Sequence, residues 1–240
     1  MSRIWQYLLE RFPPALMGSV SVVLALGSLA KFSLTSWLIA SLALFLYLLE
    51  LRLFDEFKDA AHDQKFYPTR PVPRGLVTLR ELNFLLGLDL LGQVGLLAIS
   101  GASWPLFIFL QGYTWLMRQE FGVKEWLRRY FTAYLLSHEV VVLPLFLYLM
   151  SLTAWSSVGQ ALFLGLGLFS LEIARKTIPR RVGAYDTYFE HYGAKGTLIL
   201  LLAILTLMAG LFVLQSFPAL LAPTLVLSLI AVVLSLHRLR

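Results

Sequence analysis

Three aspartates recur at four-residue intervals in the segment Arg52-Leu-Phe-Asp55-Glu56-Phe-Lys-Asp59-Ala-Ala-His-Asp63. On a helix each step of four turns by only about 40°, so the three carboxylates are expected to line one face. Like charges stacked this way repel by a few tenths of a kcal/mol per pair, and something must offset them. A divalent cation does so: Mg²⁺ takes one or two carboxylates, keeps several waters and shares its other positions with phosphate oxygens. The next segment, Phe66-Tyr-Pro-Thr-Arg70-Pro71-Val-Pro73-Arg74-Gly75, is a proline-stiffened loop with two arginines. A guanidinium fork suits bidentate recognition of phosphate. Acids for a metal beside arginines for an anion make a diphosphate–Mg²⁺ site. His62, inside the acidic run, reads as a polar surface residue.

A second polar cluster starts at Glu172-Ile-Ala-Arg175-Lys176 and continues through Pro179, Arg180, Arg181, Asp186, Tyr188, Glu190 and Tyr192 to Gly193. Glu172 pairs with Arg175 and Lys176 at i+3 and i+4. Arg175 and Lys176 are candidates to hold diphosphate oxygens directly, with Tyr188 following, whereas Arg180 and Arg181 read as topology-setting charges. Arg118 and Lys124 stand in the stretch 113–124 as further cations. Asp89, His138 and Glu139 fall inside apolar runs, where a charge is costly unless paired or neutralised, so each is a functional candidate. Glu50 and Asn83 join His138 and Glu139 as candidates for a cavity that receives an acceptor. Pro144 is expected to kink its helix, and Gly165 and Gly167 to allow close helix packing.

The elements that must carry these residues follow from composition. Of 240 residues, 58% are hydrophobic and 14% charged, with a mean hydropathy of +0.75. Soluble domains average about 25% charge, so a soluble enzyme, a disordered chain and a compact nucleic-acid-binding domain are all excluded. There is no cysteine, which removes disulfides and thiolate chemistry. A spanning helix needs about 20 mostly apolar residues. Eight stretches approach this: 14–30, 36–54, 76–100, 104–117, 130–150, 155–173, 197–215 and 218–236. Trp5, Trp37, Trp104, Trp115, Trp126 and Trp155 lie near their ends as interface anchors. The polar start at Arg3 to Arg11 does not read as a cleavable signal peptide. On eight spans, 19 of the 20 Lys and Arg fall on one side and only Lys31 on the other. The positive-inside rule makes the crowded side cytoplasmic, with both termini there. The expectation is an all-α, polytopic transmembrane bundle of about eight spans, one domain over 1–240, in a plasma-type membrane with its chemistry on the cytoplasmic face.

The run Asp55-Glu56-x-x-Asp59-x-x-x-Asp63 followed by Arg70-Pro71-x-Pro73-Arg74-Gly75 resembles the first signature of the UbiA superfamily of intramembrane prenyltransferases. That signature usually reads N-D-x-x-D-x-x-x-D and then R-P, so Asp55 and Glu56 are departures. The second family signature is also Asp-rich, and here Glu172-x-x-Arg175-Lys176 stands in its place, a variant found within the superfamily. The resemblance implies an all-helical bundle, usually of nine spans, with a cavity open to cytosol and lipid. It implies a Mg²⁺ cofactor on Asp55, Asp59, Asp63, Glu172 and Asp186, the first three catalytic. Arg70, Arg74, Arg118, Lys124, Arg175, Lys176 and Tyr188 would bind the diphosphate. The implied partners are a prenyl diphosphate and a lipophilic acceptor, aromatic or lipid. An intramembrane terpene cyclase of the same superfamily is the alternative. A transporter using Asp89, His138 and Glu139 as a relay is more distant, since no internal repeat is evident. A non-catalytic scaffold leaves the spaced acids unexplained.

Overall fold

The structure is a computed structural model that describes residues 2–152, 157–177, 188–214 and 219–238. Arg180, Arg181 and Asp186 lie outside the described residues. Within them the chain is all-helical. In order the helices are α1 (Arg3–Arg11), α2 (Pro14–Gly27), α3 (Leu34–Lys58), α4 (Ala60–Phe66), α5 (Leu79–Ser100), α6 (Trp104–Arg118), α7 (Lys124–Arg129), α8 (Phe131–Glu139), α9 (Val142–Ser151), α10 (Val158–Arg175), α11 (Tyr188–Leu214) and α12 (Ala222–Arg238).

Five segments are long and apolar enough to cross a membrane: α3, α5, the combined α8–α9, α10 and α11. A sixth is added if α1 and α2, bent by 55° at the Phe12–Pro13 junction, count as one span. The helix α6, of 15 residues, and the apolar stretch Ala222–Leu236 of α12 are shorter. Each of the eight apolar runs therefore forms helix, but by length and composition five or six qualify as spans. The bundle's outer surface is apolar, with Phe84 70% and Ile99 76% exposed. This suits a multi-pass membrane protein, because lipid tails replace water there.

Hydroxyl caps set where several helices start. Ser33, Ser103 and Ser157 each accept a hydrogen bond from the backbone N–H three residues on. Thr78 and Glu81 form a reciprocal capping box at the start of α5. These caps satisfy backbone donors that would otherwise be orphaned. Helix α10 packs against α2, α9, α11 and α12. Close approach is possible because a Cβ at Gly165 would lie 2.6 Å from Val142 Cγ2 on α9, and one at Gly167 would meet Thr224 on α12. Pro144 has no N–H to give to the Val140 carbonyl. That carbonyl instead accepts from Leu143, and the α8–α9 break falls at Val140 and Val141.

Connections of this kind bring six helix termini to one end of the bundle. The C-terminal ends of α3, α6 and α10 meet the N-terminal ends of α5, α8 and α11 there. Contacts across this polar end include Lys58 to Tyr134, Phe131 to His191 and Lys176 to Tyr188.

Candidate functional site at the polar end

Helix α3 stops at Lys58 because Asp59 leaves the helical region, with φ −97° and ψ 5°. The four-residue rhythm survives this break: Asp59 N–H donates to the Asp55 carbonyl, and Asp63 N–H donates to the Asp59 carbonyl. The three side chains nevertheless meet different surroundings. Asp55 is 46% exposed, with Arg52 Nη1 at 3.6 Å. Burial pushes the Asp59 carboxyl up to about 6, the Asp55 charge adds to this and Lys58 opposes it. Asp63 is buried and held by Arg70 Nη1 and, at 3.7 Å, by Arg11 Nη2.

The arginines of the proline-rich loop are similarly engaged. Arg70 also lies over the Tyr67 ring, 3.7 Å from its centroid. Arg74 donates through Nη1 and Nη2 to the two carboxylate oxygens of Glu10 at 2.9 and 2.7 Å. Glu56 is buried and accepts from Arg11 Nε at 2.7 Å and from Arg52 Nη2 at 2.6 Å. So Asp63, Arg70, Arg74 and Glu56 fasten α1, α3, α4 and the loop together. That leaves Asp55 and the half-buried Asp59 as the acids of the run without a short ion pair among the described residues.

Lys58, between those two acids, was not singled out by type and spacing. Its ammonium donates to Tyr134 Oη on α8 at 2.9 Å, and Glu120 Oε1 lies 4.0 Å away. Glu120 and Phe121 both have left-handed backbone, with φ of 48° and 53°. Strain of this kind costs on the order of 1–3 kcal/mol per residue and gathers at functional sites. Here it turns the buried Glu120 toward Lys58 and wedges the Phe121 ring between Tyr113 and His138. The His138 ring stacks on Tyr134 with centroids 4.0 Å apart, and its Nδ1 lies 2.8 Å from the Tyr134 carbonyl oxygen.

Across this aromatic wall stands the end of α10. Arg175 grips Glu172 through Nε and Nη2 at 2.8 and 2.7 Å, and Lys176 Nζ is 3.0 Å from the same carboxylate. Burial is the largest single influence on the Lys176 ammonium and lowers it, but the charge and hydrogen bond of Glu172 together with Tyr134 make the net shift upward. Asp55 is within electrostatic reach of Arg175, and His138 is within reach of Lys58, Asp55 and Lys176. Glu139 is within electrostatic reach of Glu172, Lys176 and Arg175. Tyr188 is buried, with its ring against Phe131 and Phe169 and 5.9 Å from Lys176 Nζ.

The polar end thus gathers Asp55, Asp59, His138, Glu139, Glu172, Arg175, Lys176 and Tyr188 from the sequence candidates. It adds Lys58, Glu120 and Tyr134. The remaining candidates are placed differently. Arg118, the last residue of α6, is at the same end but lies over the Phe54 and Phe57 rings, Lys124 is exposed on α7, and Asn83 is exposed on the outer side of α5. Glu50 is buried deeper, among α3, α5 and α6, in contact with Gln93 and Gln111. Among the described residues no three His, Asp or Glu side chains come together as a metal-binding group. A pair remains in Asp55 and Asp59, which fits the one or two carboxylates that Mg²⁺ takes beside phosphate. Comparison with family models, curated proteins and solved structures gives no match for this chain.

Proposed function

We propose that the polar end binds the diphosphate of an isoprenyl donor together with Mg²⁺, and that the protein transfers the isoprenyl group to an aromatic or lipid acceptor. This is the activity implied by the resemblance to the UbiA superfamily. One observation carries it: Asp55, near the end of α3, lies within electrostatic reach of Arg175 at the end of α10, far away in sequence, and the stacked Tyr134 and His138 rings stand at the same end. A prenyl diphosphate needs both, with charge for its head and an apolar, π-rich surface for its reacting carbon.

In this reading Asp55 and Asp59 hold the metal. Bound there, Mg²⁺ would neutralise charge on the departing diphosphate. Arg175, Lys176 and Lys58 hold diphosphate oxygens. The C–O bond to the allylic carbon breaks, and the diphosphate leaves with the electron pair. The cation left on carbon is stabilised over the faces of Tyr134, Phe131 and Tyr188. The acceptor nucleophile then forms the new bond and releases its proton. The excess of Lys and Arg puts this end at the cytoplasmic face.

The test is turnover by purified protein of farnesyl and geranylgeranyl diphosphate, with and without Mg²⁺, each with and without a membrane-lipid extract as acceptor. Mg²⁺-dependent diphosphate release that requires the extract is expected, and Asp59→Ala should abolish it while leaving the protein folded. A cyclic hydrocarbon made without acceptor would make the protein a cyclase instead. Failure to consume either donor under all conditions overturns the enzymatic reading.

A further inference from the structure

A second polar cluster lies inside the bundle, away from the acid pair and unused by the reaction proposed above. Gln93 Nε2 on α5 donates to Glu50 Oε2 on α3 and to Asp89 Oδ2 on α5, both at 2.8 Å. Gln111 Nε2 on α6 donates to the same Glu50 oxygen and to Gln93 Oε1, both at 3.0 Å. Glu50 is 0% exposed, Asp89 4% and Gln93 3%. Just below, Tyr47 and Thr114 close the contact between α3 and α6 with a 2.7 Å hydrogen bond.

The two carboxyls are each left with one buried oxygen that has no partner, Glu50 Oε1 and Asp89 Oδ1. Among the described residues no Lys, Arg or His forms an ion pair with either. Both carboxyls accept from the same Gln93 amide nitrogen, which holds them side by side. Buried oxygens without donors are costly in an apolar span and persist where something binds them. The missing group must bring positive charge or donors to two hard oxygens at once.

We propose that Glu50, Asp89, Gln93 and Gln111 form an intramembrane site for a small monovalent cation, of which Na⁺ is the natural member. The two unpartnered donors are both carboxyl oxygens, with the Gln93 and Gln111 amide nitrogens fixing the opposite oxygens, and carboxyl oxygen selects hard ions. Mg²⁺ gives up its waters reluctantly and demands octahedral geometry, and Ca²⁺ wants six to eight oxygens. Two free oxygens meet neither demand, whereas a singly charged ion sheds its waters at far lower cost. One proton shared by the carboxyls plus one monovalent cation leaves the cluster neutral, as its surroundings require.

The experiment uses the full chain in detergent or nanodiscs, with ²²Na⁺ equilibrium binding and thermal unfolding in NaCl, KCl or choline chloride at constant ionic strength. One Na⁺ per chain should bind. At about 100-fold above half-saturation it should raise the unfolding midpoint by roughly 5–10 °C over choline. Glu50→Gln and Asp89→Asn should each lose the binding and the shift. Asp59→Ala should keep both, which separates this site from the diphosphate site. Absence of ²²Na⁺ binding to the unmodified protein overturns the proposal even if both variants fail to fold. Stabilisation by acid alone, with no Na⁺ effect, also overturns it and makes a proton the only occupant.

Discussion

Glu56→Gln tests what the departures from the family signature do in this chain. Glu56 stands where an aspartate is usual, and its carboxylate is 1% exposed. One oxygen, Oε1, accepts from both Arg11 and Arg52. Glutamine keeps the shape but removes the charge, leaving two arginines, each 14% exposed, short of their shared partner. Breaking a buried ion pair costs about 3–5 kcal/mol. Two fallback contacts soften this, Asp55 at 3.6 Å from Arg52 and Asp63 at 3.7 Å from Arg11. About 2–3 kcal/mol should therefore be lost. For a chain of this size that lowers the unfolding midpoint by roughly 4–12 °C. Thermal unfolding in detergent measures it, with Glu10→Gln as the reference. Glu10 loses an equally well-formed partner, Arg74, but both side chains are about a third exposed, and exposed pairs contribute little. Glu10→Gln should melt close to the unmodified protein. Glu56→Gln melting within a degree of Glu10→Gln would refute the idea that a buried charge lattice fixes α1 to α3. Donor turnover by the folded Glu56→Gln protein should persist, because Glu56 faces the arginines and not the acid pair.

Lys58→Met should lower turnover at least 100-fold, read as diphosphate release, since it removes a cation between Asp55 and Asp59. The same change strands the Glu120 carboxylate and should cost about 1–3 kcal/mol, measured by denaturant or thermal unfolding. Gly165→Ala places a methyl 2.6 Å from Val142 Cγ2 and 3.2 Å from its Cβ. Overpacking of this kind costs about 1–3 kcal/mol, while Gly18→Ala, with nothing within 4 Å, should unfold like the unmodified chain.

Apolar runs made the helices legible, and Pro144 marked the break four residues before it. The acidic rhythm was legible as well, and the backbone keeps it through Asp59. What each acid does was not, because the deciding partners come from elsewhere in the chain. Asp63 looks equivalent to Asp59 until Arg11, on α1, reaches it together with Arg70. Arg74 is engaged through two nitrogens by Glu10, on α1, a partner that spacing in sequence does not show. Lys58 reads as one more cation of the crowded side because its partners come much later in the chain, Glu120 after α6 and Tyr134 on α8. The left-handed turn at Glu120 and Phe121 had no signal, since neither residue favours that conformation. Glu50 could be marked as unusual by depth alone, but its grouping with Gln93 and Gln111 required the packing of α3 on α5 and α6.

Helix α3 carries both polar centres, and its geometry says they are independent. Glu50 and Asp55 are five residues apart, which at 100° per residue puts them about 140° apart around the axis. Glu50 and Lys58 are separated by about 12 Å of helix rise. Glu50 bonds to α5 and α6, whereas Lys58 bonds to α8 and faces the Glu120 turn. Among the described residues no hydrogen-bond partner is common to the two. Changes at sites this far apart without shared contacts add within about 0.5 kcal/mol. The stability loss of Glu50→Gln with Lys58→Met should therefore equal the sum of the single losses within that margin. Na⁺ affinity should be unchanged by Lys58→Met, and the Mg²⁺ dependence of turnover unchanged by Glu50→Gln. A coupling well above 0.5 kcal/mol, or a shift in either ion's dependence, would mean that one centre senses the other through α3. Occupancy of the buried cluster would then gate the reaction at the polar end.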